Sequence, residues 1–595
     1  ARPFEDEPLI PGGSLAGRGG YRHLDKLCRI SAELGFRWVG RSARNLQWRP
    51  EMLRKYGVKS MLGFAYMGGG AGTELYELDE AILDDVTTVA NLFRDEEHVA
   101  AHGTGCEMDP RPDVRSVQMA AFFKQWAKEQ YDTVAVANAR WGTSYESWQA
   151  VRAPDRPKTL DSASHARWED YTLAMEKMVT RFNRKMSHAI RRGCPSGAVI
   201  SQFHGPLESR VEYGLNRYRL HQYEDLDGTH VSQERRDWLH LGITPVPVCN
   251  EEWHAITWAR GTSVDNLYMC RERMGMEAAQ GCIGWMVFPY ARFDHRIRGA
   301  LFDPQAHPYP GTWGFRYLTR RLQRAGKLCS EGANPPADVA MLYSHTAFRH
   351  SGHLDRGHWQ ERLGWYNICR AAGIPLEVVD EAQVTPVYLQ KFKVVLVPHA
   401  PHLPKEVASA LEAYASAGGK VVVQVPGAPA YGPYGDRLDM FGGRLAVTDE
   451  SNSPEEPVLP LGNVDYKSVR FEDRFRVLPA TVTDRGLMRY ESGEPALGQF
   501  RWGRGTVTVF GGPAAMEAAE CWSGESLRFL PILEAMGIEP SMRLFKVTEG
   551  TVWIWPRVLN GKLYLWVICG ASADVVEECT LEVPGASFLR DIFTG

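Results

Sequence analysis

From about residue 21 to residue 300 the apolar positions switch repeatedly between helical spacing and short strand-like runs. YRHLDKLCRISAELG (21–35) carries apolar residues three and four apart, and FRWVG (36–40) follows as a strand. WRPEMLRKYG precedes the strand KSMLGFAY (59–66). ELDEAILDDVTTVANLFRDE reads as a helix, with the acidic run Glu77–Asp85 as its solvated face, and VAAHGTGCE (99–107) comes next. MAAFFKQWAKEQY (119–131) is amphipathic. A long helical stretch, ARWEDYTLAMEKMVTRFNRKMSHAIRRG, leads into the strand AVISQFHG (198–205). TPVPVCNEEW (244–253) and GCIGWMVFPY (281–290) are two further apolar runs with a helix between them. Repeated strand–helix units of this kind predict an α/β fold, a parallel (β/α)8 TIM barrel, with an open doubly wound sheet as the alternative. The first barrel strand is not obvious; it is expected in the loop-like stretch before Gly20.

The pattern changes at SEGANPPAD (330–338). A second α/β block follows, with strands DVAMLYS, PLEVVDE, KVVLVPHA and KVVVQVPG separated by the helices LGWYNICRAAG and EVASALEAYASAGG. This is a flavodoxin-like alternation, which GTVTVFGG (505–512) and the helix SLRFLPILEAMG close. Beyond about residue 541, TVWIWPRVLNGKLYLWVICG places two β-rich runs around Asn560-Gly561, a hairpin signal. The expected organisation is a barrel over 1–335, a second α/β domain over 336–540 and a small antiparallel β domain over 541–595.

Composition narrows the function. A net charge of −4 over 595 residues offers no electrostatic case for nucleic acid or an anionic membrane. No window approaches a transmembrane span, and ARPFEDEP lacks a signal-peptide apolar region. The 11 cysteines include no CxxC pair, and Cys282 and Cys569 sit inside apolar runs. Buried free thiols and a cytoplasmic location are therefore expected. The 18 tryptophans fit a carbohydrate ligand, whose C–H faces stack on aromatic rings, as well as they fit a large core.

Catalytic groups of a parallel barrel lie at the C-terminal ends of its strands. Two places there carry carboxylates: Glu107 after VAAHGTGC, and Glu251-Glu252 after PVPVCN. Glycoside cleavage needs such a pair, one acid to protonate the leaving oxygen and one carboxylate to attack the anomeric carbon or activate water. An isolated strand-end glutamate is more often an ion-pair partner, so the surrounding residues decide.

Those residues resemble glycoside hydrolase family 42, β-galactosidases of the large retaining barrel clan. The family's D-H-P-x-V turn and the strand ending D-N-E correspond to Asp95-Glu96-Glu97-His98-Val99 and AAHGTG-Cys106-Glu107. Its A-F-x-x-W helix and N-x-x-W-G-T segment correspond to Ala121-Phe122-Phe123-Lys124-Gln125-Trp126 and Asn138-Ala139-Arg140-Trp141-Gly142-Thr143. The family's order of barrel, amidotransferase-like trimerisation domain and small β domain also matches. The resemblance implies a homotrimer. His399-Ala400 stands where an amidotransferase would carry its nucleophilic cysteine, so that domain is read as structural. Three departures stand out. Cys106 replaces the asparagine that binds the sugar 2-hydroxyl in the clan. EMDPRPDVRSVQ lacks the family's zinc-binding cysteines, so no metal and no cofactor are expected. The nucleophile context is Asn250-Glu251-Glu252-Trp253: the P-x-W-x-E-N-W spacing of family 35 favours Glu251, and a P-x-x-x-x-E spacing elsewhere in the clan favours Glu252.

The resemblance implies a retaining, exo-acting β-glycosidase with Glu107 as acid/base and Glu251 as nucleophile, ahead of Glu252. A β-mannosidase or another clan activity is the enzyme alternative, and a non-catalytic carbohydrate-binding protein is the alternative of a different class. Candidate sugar contacts are Arg44 and Asn45, Cys106, Trp141, Gln202 and His204, Trp253, Trp285 and Tyr290. Arg41 and Arg292 are weaker candidates. His204 and the tryptophans serve equally as packing residues.

Overall fold

The computed structural model describes residues 12–13, 24–36, 38–41, 50–63, 79–104, 117–155, 164–203, 215–229, 246–253, 274–287, 307–308, 310–351, 357–424, 428–445, 478, 485–489, 495–512, 515–516, 518, 533–534, 536–539, 543–545, 552–569 and 580–582. Eight parallel strands form a closed barrel in chain order: β1 (Gly12–Gly13), β2 (Trp38–Arg41), β3 (Lys59–Gly63), β4 (Val99–Gly103), β5 (Ala198–Phe203), β6 (Leu226–Thr229), β7 (Val248–Trp253) and β8 (Cys282–Val287). The elusive first strand is a pair of glycines that pairs with Trp38 and Val39 on one side and with Met286 and Val287 on the other. With no side chains, it has no hydrophobic pattern to read.

Alternation along the strands separates two environments. Ala198 and Ile200 of β5, Leu226 of β6, Cys249 of β7 and Ile283 of β8 cluster with Ala100 and Ala101 of β4 inside the barrel. Val199 joins the cluster of Val179, Phe182, Met186 and Ile190 from the helix layer outside. The first and last barrel helices, Leu24–Glu33 and Gly314–Arg324, close the ring of helices. Thr319 Oγ1 donates to the Leu34 carbonyl at 2.6 Å and Gln323 Nε2 to that of Gly35 at 3.0 Å.

The helix His165–Gly193 has 29 residues. At 1.5 Å per residue it is about 43 Å long. The strand it feeds, β5, has six residues and spans about 20 Å. Only four residues separate this helix from β5, so its C-terminus sits at the bottom of the barrel and its first turns rise beyond the mouth. Those turns meet the second domain.

That domain is a seven-stranded sheet in the order β10-β9-β11-β12-β15-β14-β13. Its parallel part comprises β9 (Val339–Tyr343), β10 (Leu376–Asp380), β11 (Val394–Val397), β12 (Lys420–Gln424) and β15 (Gly505–Phe510). Numbered within the domain, this is the flavodoxin order 2-1-3-4-5. Two strands not anticipated from the sequence, β13 (Arg485–Arg489) and β14 (Pro495–Trp502), extend it in antiparallel fashion. Both faces are covered: Val339, Met341 and Tyr343 of β9 face the large core, and Ala340 and Leu342 face a second one under the helix Lys405–Ser416. Beyond it, β16 (Arg543–Phe545) pairs with β19 (Thr580–Glu582), and β17 (Val552–Leu559) and β18 (Lys562–Cys569) form the expected hairpin. Its turn residues Asn560 and Gly561 have φ of 51° and 71°, the left-handed pair that a type I′ turn requires. The paired Trp555 and Trp566 of the hairpin join the same core as Phe36, Phe315 and Trp285 of the barrel, so one continuous apolar core links all three parts. The six cysteines among the described residues with assigned burial are free and buried.

Candidate active site

The described part of the site is the C-terminal half of β4 to β8. Residues in one register row stand level across neighbouring strands. Gln202 of β5 is level with Gly228 of β6, and Gly228 with Cys249 of β7. One row higher, Phe203, Thr229, Asn250 and Trp285 are level. Cys249 faces the interior and Asn250 the helix layer.

The end of β7 is irregular. Asn250 pairs with Trp285 and Trp253 pairs with Val287, so two residues, Glu251 and Glu252, stand opposite the single Met286. This is a β-bulge, a device that bends a strand and re-aims its residues, common beside active sites. A buried carboxylate fixes its base: Glu277 accepts from Asn250 Nδ2 at 3.3 Å and from the indole N–H of Trp285. Glu277 is 2% exposed, and both donors lie one strand apart in the row below the bulge. This clamp was not anticipated from the sequence. The clue was there in MEAAQG, where an acid stands inside an otherwise apolar helix feeding β8.

On the opposite side, β4 is anchored through His102. Burial pushes its imidazole down to about 4, so the ring is neutral. Gly197 makes room for it: a Cβ there would lie 2.6 Å from His102 Cδ2. Thr104 N donates to the Ile200 carbonyl at 2.8 Å, carrying the ladder one residue past β4 and to within three residues of Glu107.

The structure brings Gln202, Glu251, Glu252 and Trp253 to the upper ends of β5 and β7. Arg44, Asn45, Cys106, Glu107, His204, Tyr290 and Arg292 lie outside the described residues. Trp285 is 3% exposed and part of the large core, which favours packing over stacking on a sugar. Trp141 is 2% exposed. It caps the helix Val134–Trp141 before the left-handed Gly142, packs on Phe123 and Tyr131, and donates its indole N–H to Asp170 Oδ2 at 2.6 Å. The N-x-x-W-G-T residues thus fold a helix end: Asn138 Oδ1 also accepts from the Thr143 hydroxyl at 2.7 Å and the Tyr145 amide at 2.9 Å.

The architecture is thus a closed parallel barrel with two adjacent glutamates at the end of β7, followed by a flavodoxin-type sheet and a β hairpin. The family model described as "Beta-galactosidase" matches residues 49–260, and that described as "Beta-galactosidase trimerisation domain" matches 337–428. The β-galactosidase BgaH of Haloferax lucentense is 23% identical over 560 residues, covering 84% of this chain and 78% of its own. The β-galactosidase of Bacillus circulans sp. alkalophilus superposes with a TM-score of 0.74 at 15% identity, covering 94% of this chain and 93% of its own. An exo-β-1,4-mannosidase from an Opitutaceae bacterium superposes with a TM-score of 0.55 at 14% identity, covering 90% of this chain and 96% of its own. The chain is a glycoside hydrolase similar to those of family 42. Among the described residues no helix is long and apolar enough to cross a membrane.

Proposed function

We propose that the protein is a retaining, exo-acting β-glycosidase that removes terminal β-galactosyl residues by double displacement. The observation that carries this reading is the bulge at the end of β7, which sets two adjacent glutamates opposite one residue of β8 in a barrel of this family. Glu251, two residues beyond Cys249 on β7, attacks the anomeric carbon. The bond to the leaving oxygen breaks as protonated Glu107 donates to it, leaving a glycosyl ester on Glu251. Glu107, now a carboxylate, takes a proton from water, whose oxygen displaces Glu251 with a second inversion. The negative charge of Glu251 helps keep Glu107 protonated near neutral pH. Retention requires the two carboxyls to stand about 5–5.5 Å apart in the working enzyme.

Gln202, level with Cys249 near the end of β5, is proposed to bind a sugar hydroxyl. Arg44, Asn45, Cys106, His204, Trp253 and Tyr290 complete the proposed sugar contacts. With Cys106 in place of an amide side chain, the 2-hydroxyl loses a two-way hydrogen-bonding partner, so discrimination at that hydroxyl is weaker. The matched trimerisation unit supports a homotrimer, and the buried free thiols support a reducing, cytoplasmic location. Domain limits near residues 335 and 540 belong to the same reading.

A panel of nitrophenyl glycosides tests it. Turnover of the β-galactoside above the β-mannoside is expected, with Glu251→Gln abolishing it. Sugar binding without turnover of any β-glycoside overturns the reading.

A further inference from the structure

In doubly wound sheets, ligands bind at the carboxyl edge where the strand order reverses. Here that point lies between β9 and β11, which are neighbours although β10 comes between them in the chain. The segments leaving these strands are rich in histidine: His345 and His350 after β9, and His399 and His402 after β11. His399 adopts φ of 35°, a left-handed conformation that a histidine takes only at an energetic cost. The long barrel helix, overshooting the mouth, lays its first residue over this edge. His165 stacks on His350 with ring centroids 4.9 Å apart, His350 lies 4.6 Å from His402, and His165 lies 5.1 Å from His402.

We propose that His165, His350 and His402 form a binding site for one divalent transition-metal ion, Zn2+ by preference, that ties the barrel to the second domain. One ring nitrogen of each lies within 4.8 Å of the others. A tetrahedral ion with bonds of about 2.0–2.1 Å needs its nitrogens about 3.4 Å apart, which small rotations of the three rings supply. His350 and His402 are 0% exposed, and among the described residues neither ring nitrogen of His402 has a hydrogen-bond partner. A buried polar atom without a partner is destabilising, and a metal ion would supply the His402 ring with one. Glu169, one turn along the same helix, stands 3.0 Å from His350 Nε2, and a carboxylate behind a metal-bound imidazole is the usual way its ring is oriented. Arg349 in turn grips Glu169 with Nε at 2.8 Å. An all-imidazole donor set selects zinc, cobalt, nickel or copper over calcium or magnesium, which take oxygen. The other buried cluster, His221, Glu224 and Asp227, is already neutralised by Arg217, whose Nη1 lies 3.2 Å from Asp227 Oδ1.

The test uses the full-length protein, stripped with a chelator, dialysed and titrated with CoCl2. The expected result is one equivalent of cobalt per chain with the visible absorption of a four- or five-coordinate nitrogen site, displaced by ZnCl2, and a melting temperature that rises with added ZnCl2. His402→Ala and His350→Ala should each lose that equivalent and the thermal response, whereas His188→Ala, on the exposed face of the long helix, should keep both. Absence of a stoichiometric visible band in the wild-type protein overturns the proposal without reference to any variant. An unchanged band in His402→Ala overturns it equally.

Discussion

Replacing Arg349 by leucine should loosen the joint between the barrel and the second domain more than any exposed ion-pair change. The Arg349 guanidinium reaches Glu169 through Nε at 2.8 Å and Nη2 at 2.5 Å, and the two side chains are 5% and 2% exposed. Burial alone would raise the Glu169 carboxyl, but Arg349 and His350 outweigh it and hold it at about 2, against an ordinary value of 4.5. That difference corresponds to about 3 kcal/mol in favour of the ionised form. Arg349→Leu leaves the carboxylate buried with His350 Nε2, 3.0 Å away, still close to it, and breaking such a buried pair costs about 3–5 kcal/mol. For a cooperative unit of about 200 residues this lowers the melting temperature by roughly 10 °C. Calorimetry of the intact protein at neutral pH measures it, and Glu169→Leu/Arg349→Leu should recover more than half of the loss. The pH dependence has a definite sign. A carboxyl held below its unfolded value contributes stability that is whole above about 4.5, declines as pH falls and is gone near 2. Arg349→Leu should therefore show a shallower acid-side loss than the wild type. A melting temperature within about 2 °C of wild type at neutral pH would refute the reasoning.

Three further outcomes follow from the same geometry. Trp141→Phe removes one donor from the buried Asp170 carboxylate, which retains Tyr131 and Tyr434; it should cost about 1–3 kcal/mol in denaturant unfolding with KM unchanged, and a large rise in KM alone would assign Trp141 to the sugar. Asn250→Ala takes a side-chain donor from Glu277 beneath the bulge; it should lower kcat at least tenfold while the circular dichroism stays native, and full activity would separate the clamp from catalysis. Gly561→Val meets no atom within 4 Å but must hold φ of 71°, so it should destabilise the hairpin by about 1–2 kcal/mol in thermal unfolding without altering turnover.

The fold was legible where apolar periodicity and turn chemistry agree. The strands at FRWVG, before Glu107 and within PVPVCNEEW fell where the apolar runs placed them, and Asn560-Gly561 announced its hairpin. Two barrel strands were not legible, for physical reasons. Gly12–Gly13 has no side chains to pattern, and Leu226–Thr229 has one large apolar residue because Asp227 is spent on Arg217 and His221, the latter at 2.9 Å. Glu251 and Glu252 fall at the end of β7, where strand-end logic looks for carboxylates, and Glu107 lies outside the described residues. The supporting parts were not: the Glu277 clamp depends on two residues from different strands meeting a helix, and the histidine cluster joins residues 165, 350 and 402. Sequence spacing carries no trace of contacts such as that of His165 with His350, made between residues far apart in the chain.

Covalent trapping tests the central claim most directly. Incubation with an activated 2-deoxy-2-fluoro-β-galactoside, followed by intact-mass measurement and peptide mapping, captures the glycosyl-enzyme of a retaining mechanism. The account predicts one fluorogalactosyl group per chain, esterified to Glu251 at the bulge of β7. A label on Glu252 would reverse the choice between the two glutamates. Turnover of the natural configuration with no adduct, and with inverted product, would contradict the account.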